Sequence, residues 1–523
     1  MKLLKRAAAK SFQLLCKPAW KEFERSIHSP TLAQERTLRA ILQEAAKTEY
    51  GKALHLTGKE SYQEFSKLVE PQKYDQHLKP WIEKQSQNPA NSIFSPGGMR
   101  VLEKSSGSSG TAKLIPYNHA ILKSFEKYFR IWAYDILKNG PRFRSYRTYI
   151  SISPSLGKDR EAGLSDDSEY LSLPLRFLLK PFLAVPLDLK QVRDPEEFRH
   201  LLCAYLANAE DLEIISIWHP SLFLVTMEYL QTHRQEIAHT LKTNPRFRAN
   251  PEVLRKLSSN FQMAELWPHL KFISAWDGAN SAIYAEKLKK LFPKATFQAK
   301  GLLSTEAPIT LPTIEKSTLP FLCDVFLEFV HEEFGIKRIH ELRVGEKYQV
   351  LVTQAGGFLR YDLGDEILVT NSGLSNCPAI QFIGRSGQIS DLVGEKLTEE
   401  NFQSLQAWLA AEFGLSSLCV LPINSNPPYY QFFYEANQAI PLASFEQFLM
   451  THHHYSYARD MGQLIPAKAE RIKNLSDLLL QFYSRKRAMR QGDIKLKLLV
   501  KNPLEAAEIL QYKVESGAQY EIS

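Results

Sequence analysis

Short apolar runs alternate with amphipathic stretches in the middle of the chain, and this alternation constrains the fold more than any other feature of the sequence. Residues 212–218 read LEIISIW and residues 270–276 read LKFISAW, and each run has the length and apolar content of a buried strand. A predicted helix follows each run, the first opened by His219-Pro220 and the second at 282–292. Strands separated by helices predict an α/β fold around a largely parallel sheet.

Other segments extend this pattern in both directions. The predicted elements are a mostly helical region over 1–90, a loop rich in Ser, Gly and Pro over 92–116, a helix over 118–138 capped by Asn118, and a strand over 148–153. Strands are also predicted at 326–330, 347–353 and 367–370, and we expect them to extend the same sheet.

The chain has 523 residues, which is more than one hydrophobic core ordinarily holds. A second α/β pattern follows residue 385, with a helix at 399–413 and strands at 417–421 and 429–434. We therefore predict a large N-terminal domain of residues 1–385, with mixed or parallel sheets flanked by helices, and a small α/β C-terminal domain of residues 386–523.

Composition narrows the class of protein. The five cysteines are scattered and form no CxxC pair, which argues against a disulfide framework and a structural zinc site, so a reducing, cytoplasmic location is the expectation. A net charge of +8 spread over the whole chain is mild, so we expect no nucleic-acid partner.

The first twenty residues are basic and amphipathic, with lysine or arginine interrupting each apolar run. We interpret them as an ordinary first helix, with a membrane-surface helix or a transit peptide as the alternatives. No segment approaches the length of an integral membrane helix, and none is expected.

One loop combines small hydroxyl side chains, glycines and a terminal lysine. Its residues are Ser105, Ser106, Gly107, Ser108, Ser109, Gly110, Thr111, Ala112 and Lys113. Glycines let backbone N–H groups approach an anion closely, and the hydroxyls and the lysine add donors and charge. No GxxxxGK[ST] pattern fits, so this is not a Walker A loop. A flexible linker is the alternative, and composition alone leaves both interpretations open.

This loop resembles, position for position, the TSGTTGxPK phosphate loop of the adenylate-forming superfamily, with Ala112 in place of the usual proline. Five segments in order are similar to the auxin-responsive acyl-amido synthetase family, which contains plant auxin- and jasmonate-conjugating enzymes and bacterial relatives. They are SSGSSGTAKLIPYN, FISAWDGANSAIY, FQAKGLLSTEAPITLP, GGFLRYDLGD and FIGRSGQISDLVGEKLTEENF. The resemblance implies the architecture of adenylate-forming enzymes, with a mobile small domain.

The resemblance also implies ATP and Mg²⁺ as cofactors and a role for particular residues. Glu306 matches the acidic residue that holds Mg²⁺, and Thr305 is matched to a donor to phosphate. Gly278 lets the adenine approach closely. Asp365, taken to follow a tight glycine turn, accepts the ribose hydroxyls, and Arg385 contacts ribose or phosphate at the hinge between the domains.

A late lysine that neutralises the substrate carboxylate is assigned by the resemblance to Lys495, with Lys497 as a competitor. Trp218 and Trp276, at predicted strand ends, suit either an acyl or adenine pocket or the ordinary core. The tract His452-His453-His454 is interpreted as polar surface, because adjacent histidines in a strand point to opposite faces.

The implied reaction is the ATP-dependent adenylation of a carboxylic acid, followed by transfer of the acyl group to an amine, an amino acid being the expected acceptor. The alternatives are a thiol acceptor and a relative that binds nucleotide or acyl ligand without catalysis. A monomer is expected.

Overall fold

The structure is a computed structural model that describes residues 2–105, 113–152, 170–171, 173–278, 281–315, 318–374, 377–385, 389–486, 497–515 and 520–522. Its α-helices are α1 (Lys2–His28), α2 (Pro30–Ala45), α3 (Glu49–Ala53), α4 (Tyr62–Leu68), α5 (Lys79–Gln87), α6 (His119–Asn139), α7 (Leu173–Leu179), α8 (Pro195–Asn208), α9 (Pro220–Thr232), α10 (Arg234–Thr243), α11 (Pro251–Leu257), α12 (Met263–Leu266), α13 (Ala282–Leu291), α14 (Glu399–Phe413), α15 (Leu442–Met450), α16 (His453–Asp460), α17 (Leu475–Lys486) and α18 (Pro503–Glu515).

Its strands are β1 (Val101–Ser105), β2 (Lys113–Tyr117), β3 (Arg147–Ile150), β4 (Leu212–Ser216), β5 (Phe272–Ala275), β6 (Thr296–Ala299), β7 (Thr310–Leu311), β8 (Leu319–Pro320), β9 (Val325–His331), β10 (Gly335–Arg338), β11 (Lys347–Gln354), β12 (Tyr361–Leu374), β13 (Cys377–Arg385), β14 (Ile389–Ser390), β15 (Leu397–Thr398), β16 (Leu415–Ile423), β17 (Tyr429–Ala436), β18 (Lys468–Ile472) and β19 (Tyr520–Ile522).

The chain divides into two compact units, a larger one within residues 1–105 and 114–386 and a smaller one centred on residues 387–523. Whether residues 1–385 and 386–523 act as separate functional domains stays a prediction. No helix in the described residues combines the length and the apolar composition that crossing a membrane requires.

The large unit contains the parallel sheet β3-β4-β5-β6, in which strand order follows chain order. The runs LEIISIW and LKFISAW form β4 and β5, whose residues are all buried, so this prediction is confirmed. Helices α8, α9 and α13 lie in the connections between its strands. The residues after β4, β5 and β6 therefore emerge at one edge of the sheet, where α/β proteins place their ligands.

A second sheet has the order β10-β9-β11-β12-β13 and is antiparallel throughout. The expectation that the strands at 326–330, 347–353 and 367–370 extend the parallel sheet is therefore wrong. The connection from β9 to β10 spans residues 332–334, and that from β11 to β12 spans residues 355–360. Parallel neighbours need crossovers of a dozen or more residues, so connections this short produce antiparallel pairs.

Helices α1 and α2 pack into the core of the large unit. Gln34 on α2 is buried and binds the backbone of β9 in both directions: its Nε2 donates to the Val325 carbonyl, and its Oε1 accepts from the Leu327 N–H, each at 2.8 Å. Helix α1 packs along α6. The N-terminal helices are therefore fixed by residues almost three hundred positions later in the chain.

The small unit contains the sheet β16-β17-β18-β19, in which β17 and β18 are parallel and the outer pairs antiparallel. Helices α17 and α18 pack on it around Cys419, Phe433 and Ile472. The helix predicted at 399–413 is α14, and the strands predicted at 417–421 and 429–434 lie within β16 and β17, so these predictions are confirmed.

Candidate functional site

The strands that flank the predicted phosphate loop pair with each other. Ser105 ends β1, Lys113 begins β2, and the two strands form a two-stranded sheet. The loop residues Ser106, Gly107, Ser108, Ser109 and Gly110 lie outside the described residues. The expectation of a loop across all of 92–116 is wrong at β1 and at β2, which are strands, and apolar residues on β2 such as Ile115 are buried beside the core.

Asn118 fixes the element that follows the loop. Its Oδ1 accepts from the Ile121 N–H at 2.9 Å, which caps α6 as predicted. Its Nδ2 also donates to the carbonyl oxygens of Pro96 at 3.0 Å and Ala355 at 2.7 Å. The buried Asn118 side chain therefore links the start of α6 to the segments that contain Pro96 and Ala355.

Thr305 and Glu306 are held by three different strands. The Tyr117 hydroxyl on β2 donates to the Thr305 carbonyl at 2.5 Å, and the Gln354 side chain on β11 donates to the Glu306 carbonyl at 3.1 Å. Burial raises the pKa of Tyr117 well above its ordinary value, so its hydroxyl remains a donor. The Tyr361 hydroxyl on β12 lies 3.4 Å from Glu306 Oε1.

The Glu306 carboxylate fits a magnesium ligand. It is only 6% exposed, and its hydrogen bond from Tyr361 is long, so its oxygens are weakly engaged by that hydroxyl. Mg²⁺ is ordinarily bound by one or two carboxylates together with substrate phosphates and water. Within the described residues no group of three or more His, Cys, Asp or Glu side chains surrounds a common metal position.

Two residues predicted to contact the nucleotide face each other across β12 and β13. Asp365 and Arg385 are directly opposed in the antiparallel register, and Asp365 is 2% exposed. Asp365 was expected to follow a tight glycine turn. Instead Gly364 lies within β12, at a φ of +70° that glycine adopts readily, beside an irregularity in the pairing with β11.

Gly278 approaches the same strand pair. A Cβ atom added at this position would lie 3.2 Å from the carbonyl oxygen of Phe382 on β13. The turn after β5 therefore runs close to β13, three residues before Arg385. The structure thus brings the predicted adenine-contacting glycine to the strands that carry Asp365 and Arg385.

Arg360 anchors the beginning of β12 through a buried ion pair with Glu328 on β9. Its Nε and Nη2 donate to the two carboxylate oxygens at 2.9 and 2.8 Å. Its Nη1 donates to the carbonyl oxygens of Ser66 at 3.0 Å and Val69 at 2.7 Å. The Tyr62 hydroxyl adds a third bond to Glu328, at 2.9 Å. This network fixes the chain one residue before Tyr361, whose hydroxyl faces Glu306.

Trp218 and Trp276 lie where β4 and β5 end, with ring centroids 5.6 Å apart. They stand at the edge of the parallel sheet where β4 and β5 end, and whether they line a pocket or belong to the core stays a prediction.

Only one of the two candidate lysines, Lys497, lies within the described residues. Lys495 lies outside the described residues. Lys497 in the small unit binds Glu505, with its Nζ 2.8 and 3.0 Å from the two carboxylate oxygens.

The histidine tract was expected in a strand, but His453 and His454 begin α16 and His452 precedes it. Burial is the main cause that lowers the pKa of His454, to about 4.

Lys300 was not predicted from the sequence as a site residue. It follows β6, is 7% exposed and donates from Nζ to the Ser216 hydroxyl at 2.9 Å. Its ammonium lies 4.5 Å from the ring centroid of Trp218 and 5.2 Å from that of Trp132. A lone lysine after a strand carries no signal in one sequence, although the adjacent Gly301 marks a turn.

Comparison with known proteins places this chain in a family. The chain matches the GH3 family N-terminal domain over residues 19–297 and the GH3 family central domain over residues 319–385. It is 22% identical over 474 residues to jasmonoyl–L-amino acid synthetase JAR4 of Nicotiana attenuata, covering 80% of this chain and 81% of that protein.

Two solved structures share the fold. GH3.15 acyl acid amido synthetase superposes with a TM-score of 0.62 at 18% identity, covering 96% of this chain and 97% of the other. A 2-hydroxyisobutyryl-CoA ligase superposes with a TM-score of 0.50 at 14% identity, covering 98% and 92%. With both family domains matched over more than half of its length, the chain belongs to the GH3 family of acyl-acid amido synthetases, within the adenylate-forming superfamily.

Proposed function

We propose that this chain is an ATP-dependent ligase that adenylates a carboxylic acid and transfers the acyl group to the amine of an amino acid. The observation that carries the proposal is the direct opposition of Asp365 and Arg385 on neighbouring strands, with Gly278 against the same strand pair. An acidic and a basic residue beside a closely approaching glycine suit the ribose, phosphate and adenine of one nucleotide.

The first step joins the acid to AMP. A carboxylate oxygen of the acid attacks the α-phosphorus of ATP, the bond from that phosphorus to the bridging oxygen breaks, and pyrophosphate leaves. Phosphoryl chemistry of this kind needs positioning and charge stabilisation more than proton transfer. In the proposal, the loop 105–113 binds the β- and γ-phosphates, Thr305 donates to phosphate and Asp365 accepts the ribose hydroxyls.

Glu306 is proposed to hold Mg²⁺, which when bound supplies positive charge to phosphate oxygens. Lys495 is the proposed partner of the substrate carboxylate. Lys497 is less suited to that role, because its ammonium is already paired with both oxygens of Glu505.

The second step forms the product. The unprotonated amine of the acceptor attacks the acyl carbon, the bond from that carbon to the AMP oxygen breaks, and the amine loses a proton as the amide forms. Enzymes of this fold also include a CoA ligase, so the acceptor is decided by experiment.

The test is ATP–pyrophosphate exchange with a panel of carboxylic acids in the presence of Mg²⁺. We expect exchange with at least one acid, abolished in Glu306→Ala and Asp365→Ala and kept in Glu252→Gln, a variant of an exposed pair far from the site in sequence. Amino acids or CoA added with the acid then identify the acceptor by mass spectrometry of the product. Absence of exchange with every acid, together with absence of ATP binding, would refute the proposal.

A further inference from the structure

The net charge of the chain is concentrated at one helix, although it is mild as an average. The first 21 residues contain six lysine or arginine residues and no Asp or Glu, so they supply six of the eight net positive charges of the whole chain. All of them except Met1 belong to α1. The first acidic residue is Glu22, whose carboxylate pairs with Lys127 on α6 at 2.9 Å. A chain that is nearly neutral elsewhere therefore carries one strongly basic helix.

The apolar face of α1 is covered by protein. Helix α1 packs along α6, and Cys16 and Phe23 on its inner face are fully buried. This face could enter a lipid bilayer only if the helix left α6. A partner of the folded large unit therefore has to meet the opposite, solvent-exposed face of α1.

The exposed face of α1 carries a row of cations. Arg6, Lys10, Lys17 and Lys21 are all exposed, and their spacing of four, seven and four residues places them on one side of the helix. We call these four residues the basic stripe. Leu14 lies within the stripe, four residues after Lys10, and is 59% exposed. An apolar side chain thus stands in water among like charges.

A basic pocket adjoins one end of the stripe. It has a volume of about 710 Å³, and no Asp or Glu is among its described lining residues. Its lining contains Arg6, Lys138, Arg142, Arg144, His269 and Lys271. Because Arg6 belongs to both, the basic pocket and the basic stripe form one continuous positive surface.

Glu213 on β4 holds the segment that carries two of the pocket's arginines. Its carboxylate, 2% exposed, accepts from the Arg144 N–H at 2.8 and 2.9 Å and from the Ser145 N–H at 2.8 Å. It also accepts from Lys271 Nζ at 2.6 Å, which offsets the charge of that lysine. The side chains of Arg142 and Arg144 are exposed at the pocket, on a backbone that is fixed in place.

The basic pocket is remote from the proposed nucleotide contacts. Arg144 precedes β3 and Lys271 precedes β5, so the pocket lies at the edge of the parallel sheet where its strands begin. Gly278 follows β5 and lies at the opposite edge. An anion in this pocket would therefore not be the ATP of the proposed reaction.

An anionic membrane surface suits these features together. Arginine and lysine bind phosphate oxygens through charge-assisted hydrogen bonds, and clusters of about four to eight such residues on a helix are typical of sites for anionic lipids. The exposed Leu14 favours a lipid surface over a nucleic acid, because an apolar side chain is stabilised between lipid headgroups and gains nothing beside a phosphate backbone.

We propose that α1 docks the large unit on an anionic lipid surface. The basic stripe contacts the phosphate headgroups, Leu14 enters the interface between them, and the basic pocket holds one headgroup. The inference is independent of the proposed function, because it uses neither the nucleotide contacts nor the loop 105–113.

The test is sedimentation of the full chain with vesicles of phosphatidylcholine alone and with vesicles that contain about one third phosphatidylglycerol. We expect binding to the second kind only, weakened by added salt because salt screens exposed charges. The triple variant Lys10→Gln, Lys17→Gln, Lys21→Gln should bind about a hundredfold more weakly, at about fivefold for each lysine.

Two further variants test the other parts of the surface. Arg142→Gln combined with Arg144→Gln should weaken vesicle binding about tenfold or more, through the loss of two pocket charges. Leu14→Gln, which removes no charge, should weaken it about threefold or more, because less apolar surface enters the lipid. If the triple variant does not fold, as judged by circular dichroism, these two variants decide the question.

The matched control is the triple variant Lys52→Gln, Lys59→Gln, Lys67→Gln. It removes the same charge from exposed positions outside α1 and the basic pocket, and its vesicle binding should stay within about twofold of wild type. An equal loss in this control would reduce the effect to net charge and overturn the inference. Failure of the wild type to bind the phosphatidylglycerol vesicles, or equal binding to phosphatidylcholine alone, would overturn it as well. Binding of a DNA duplex or of inorganic polyphosphate without vesicle binding would assign the surface to another polyanion.

Discussion

Replacing Glu328 with glutamine should destabilise the large unit far more than an ordinary substitution. Glu328 and Arg360 are 1% and 3% exposed, and the variant leaves the guanidinium buried without this counter-charge. Breaking a buried pair of this kind costs about 3–5 kcal/mol of the free energy of unfolding. The change should be measured by guanidinium denaturation followed by tryptophan fluorescence, which reports the large unit because six of the seven tryptophans lie before residue 386.

Removing the partner has the same kind of effect. Arg360→Met leaves the Glu328 carboxylate buried beside the Tyr62 hydroxyl but without its counter-charge, so it should also cost about 3–5 kcal/mol of the free energy of unfolding. The double variant Arg360→Met with Glu328→Leu should lose only about 2 kcal/mol, mainly from the carbonyl oxygens of Ser66 and Val69 that lose their donor.

Glu252→Gln is the matched control, because its pair with Arg255 is exposed and should leave the stability close to that of the wild type. If the double variant instead loses the sum of the two single losses, the residues do not act as a pair. A loss below about 1 kcal/mol in Glu328→Gln would show that the pair does not hold β12 and β9 together.

Three further outcomes are expected. Asp365→Asn, which keeps the shape of a 2% exposed side chain, should raise the KM for ATP about tenfold or more in the exchange assay, and an unchanged KM would contradict the ribose assignment. Gly278→Val should collide with the Phe382 carbonyl and raise the KM for ATP about tenfold or more, and an unchanged KM would contradict the adenine assignment. Burial is the main cause that raises the pKa of Glu395 to about 7, with Asp391 adding to it, so the folded state holds this proton more tightly than the unfolded state. The free energy of unfolding should therefore fall by about 3 kcal/mol as the pH rises from the unfolded pKa to about 7, and denaturation curves of Glu395→Gln should lack this slope.

Local signals made parts of the fold predictable. Helix α14 has the predicted bounds because capping residues at each end determine where it begins and where it stops. Thr398 and Asn401 exchange hydrogen bonds at the first turn, and Gly414 ends the helix at a φ of +64°. The strands β4 and β5 were equally clear, since fully buried strands are continuous apolar runs.

Pairing between distant strands was not predictable in the same way. Strands were predicted within β9, β11 and β12 but not at β10 or β13, and the short connections, which force antiparallel pairing, were not taken into account. The opposition of Asp365 and Arg385 depends on an irregularity between Glu366 and Ile367, and one shifted residue would face a different partner. The family resemblance identified both residues as candidates, and the register of β12 with β13 pairs them.

Lys300 shows a further limit of sequence reasoning. Three of its contacts are with Ser216, Trp132 and Trp218, which lie between 82 and 168 positions earlier in the chain. Each of these four residues is unremarkable in its own segment. Only the crossover connections of the parallel sheet place the two rings and the hydroxyl around one ammonium.

The attachment of α2 to β9 has a consequence for the newly made chain. Gln34 and its partner Val325 are separated by 291 positions, so the side chain leaves the ribosome long before the strand it binds. At about 5–20 residues per second, α2 waits roughly 15 to 60 s for that strand. The parallel sheet, whose strands are made in the order in which they pair, can assemble during this interval. The apolar faces of the first two helices meanwhile stay uncovered by β9, which makes them natural clients for a chaperone at the ribosome.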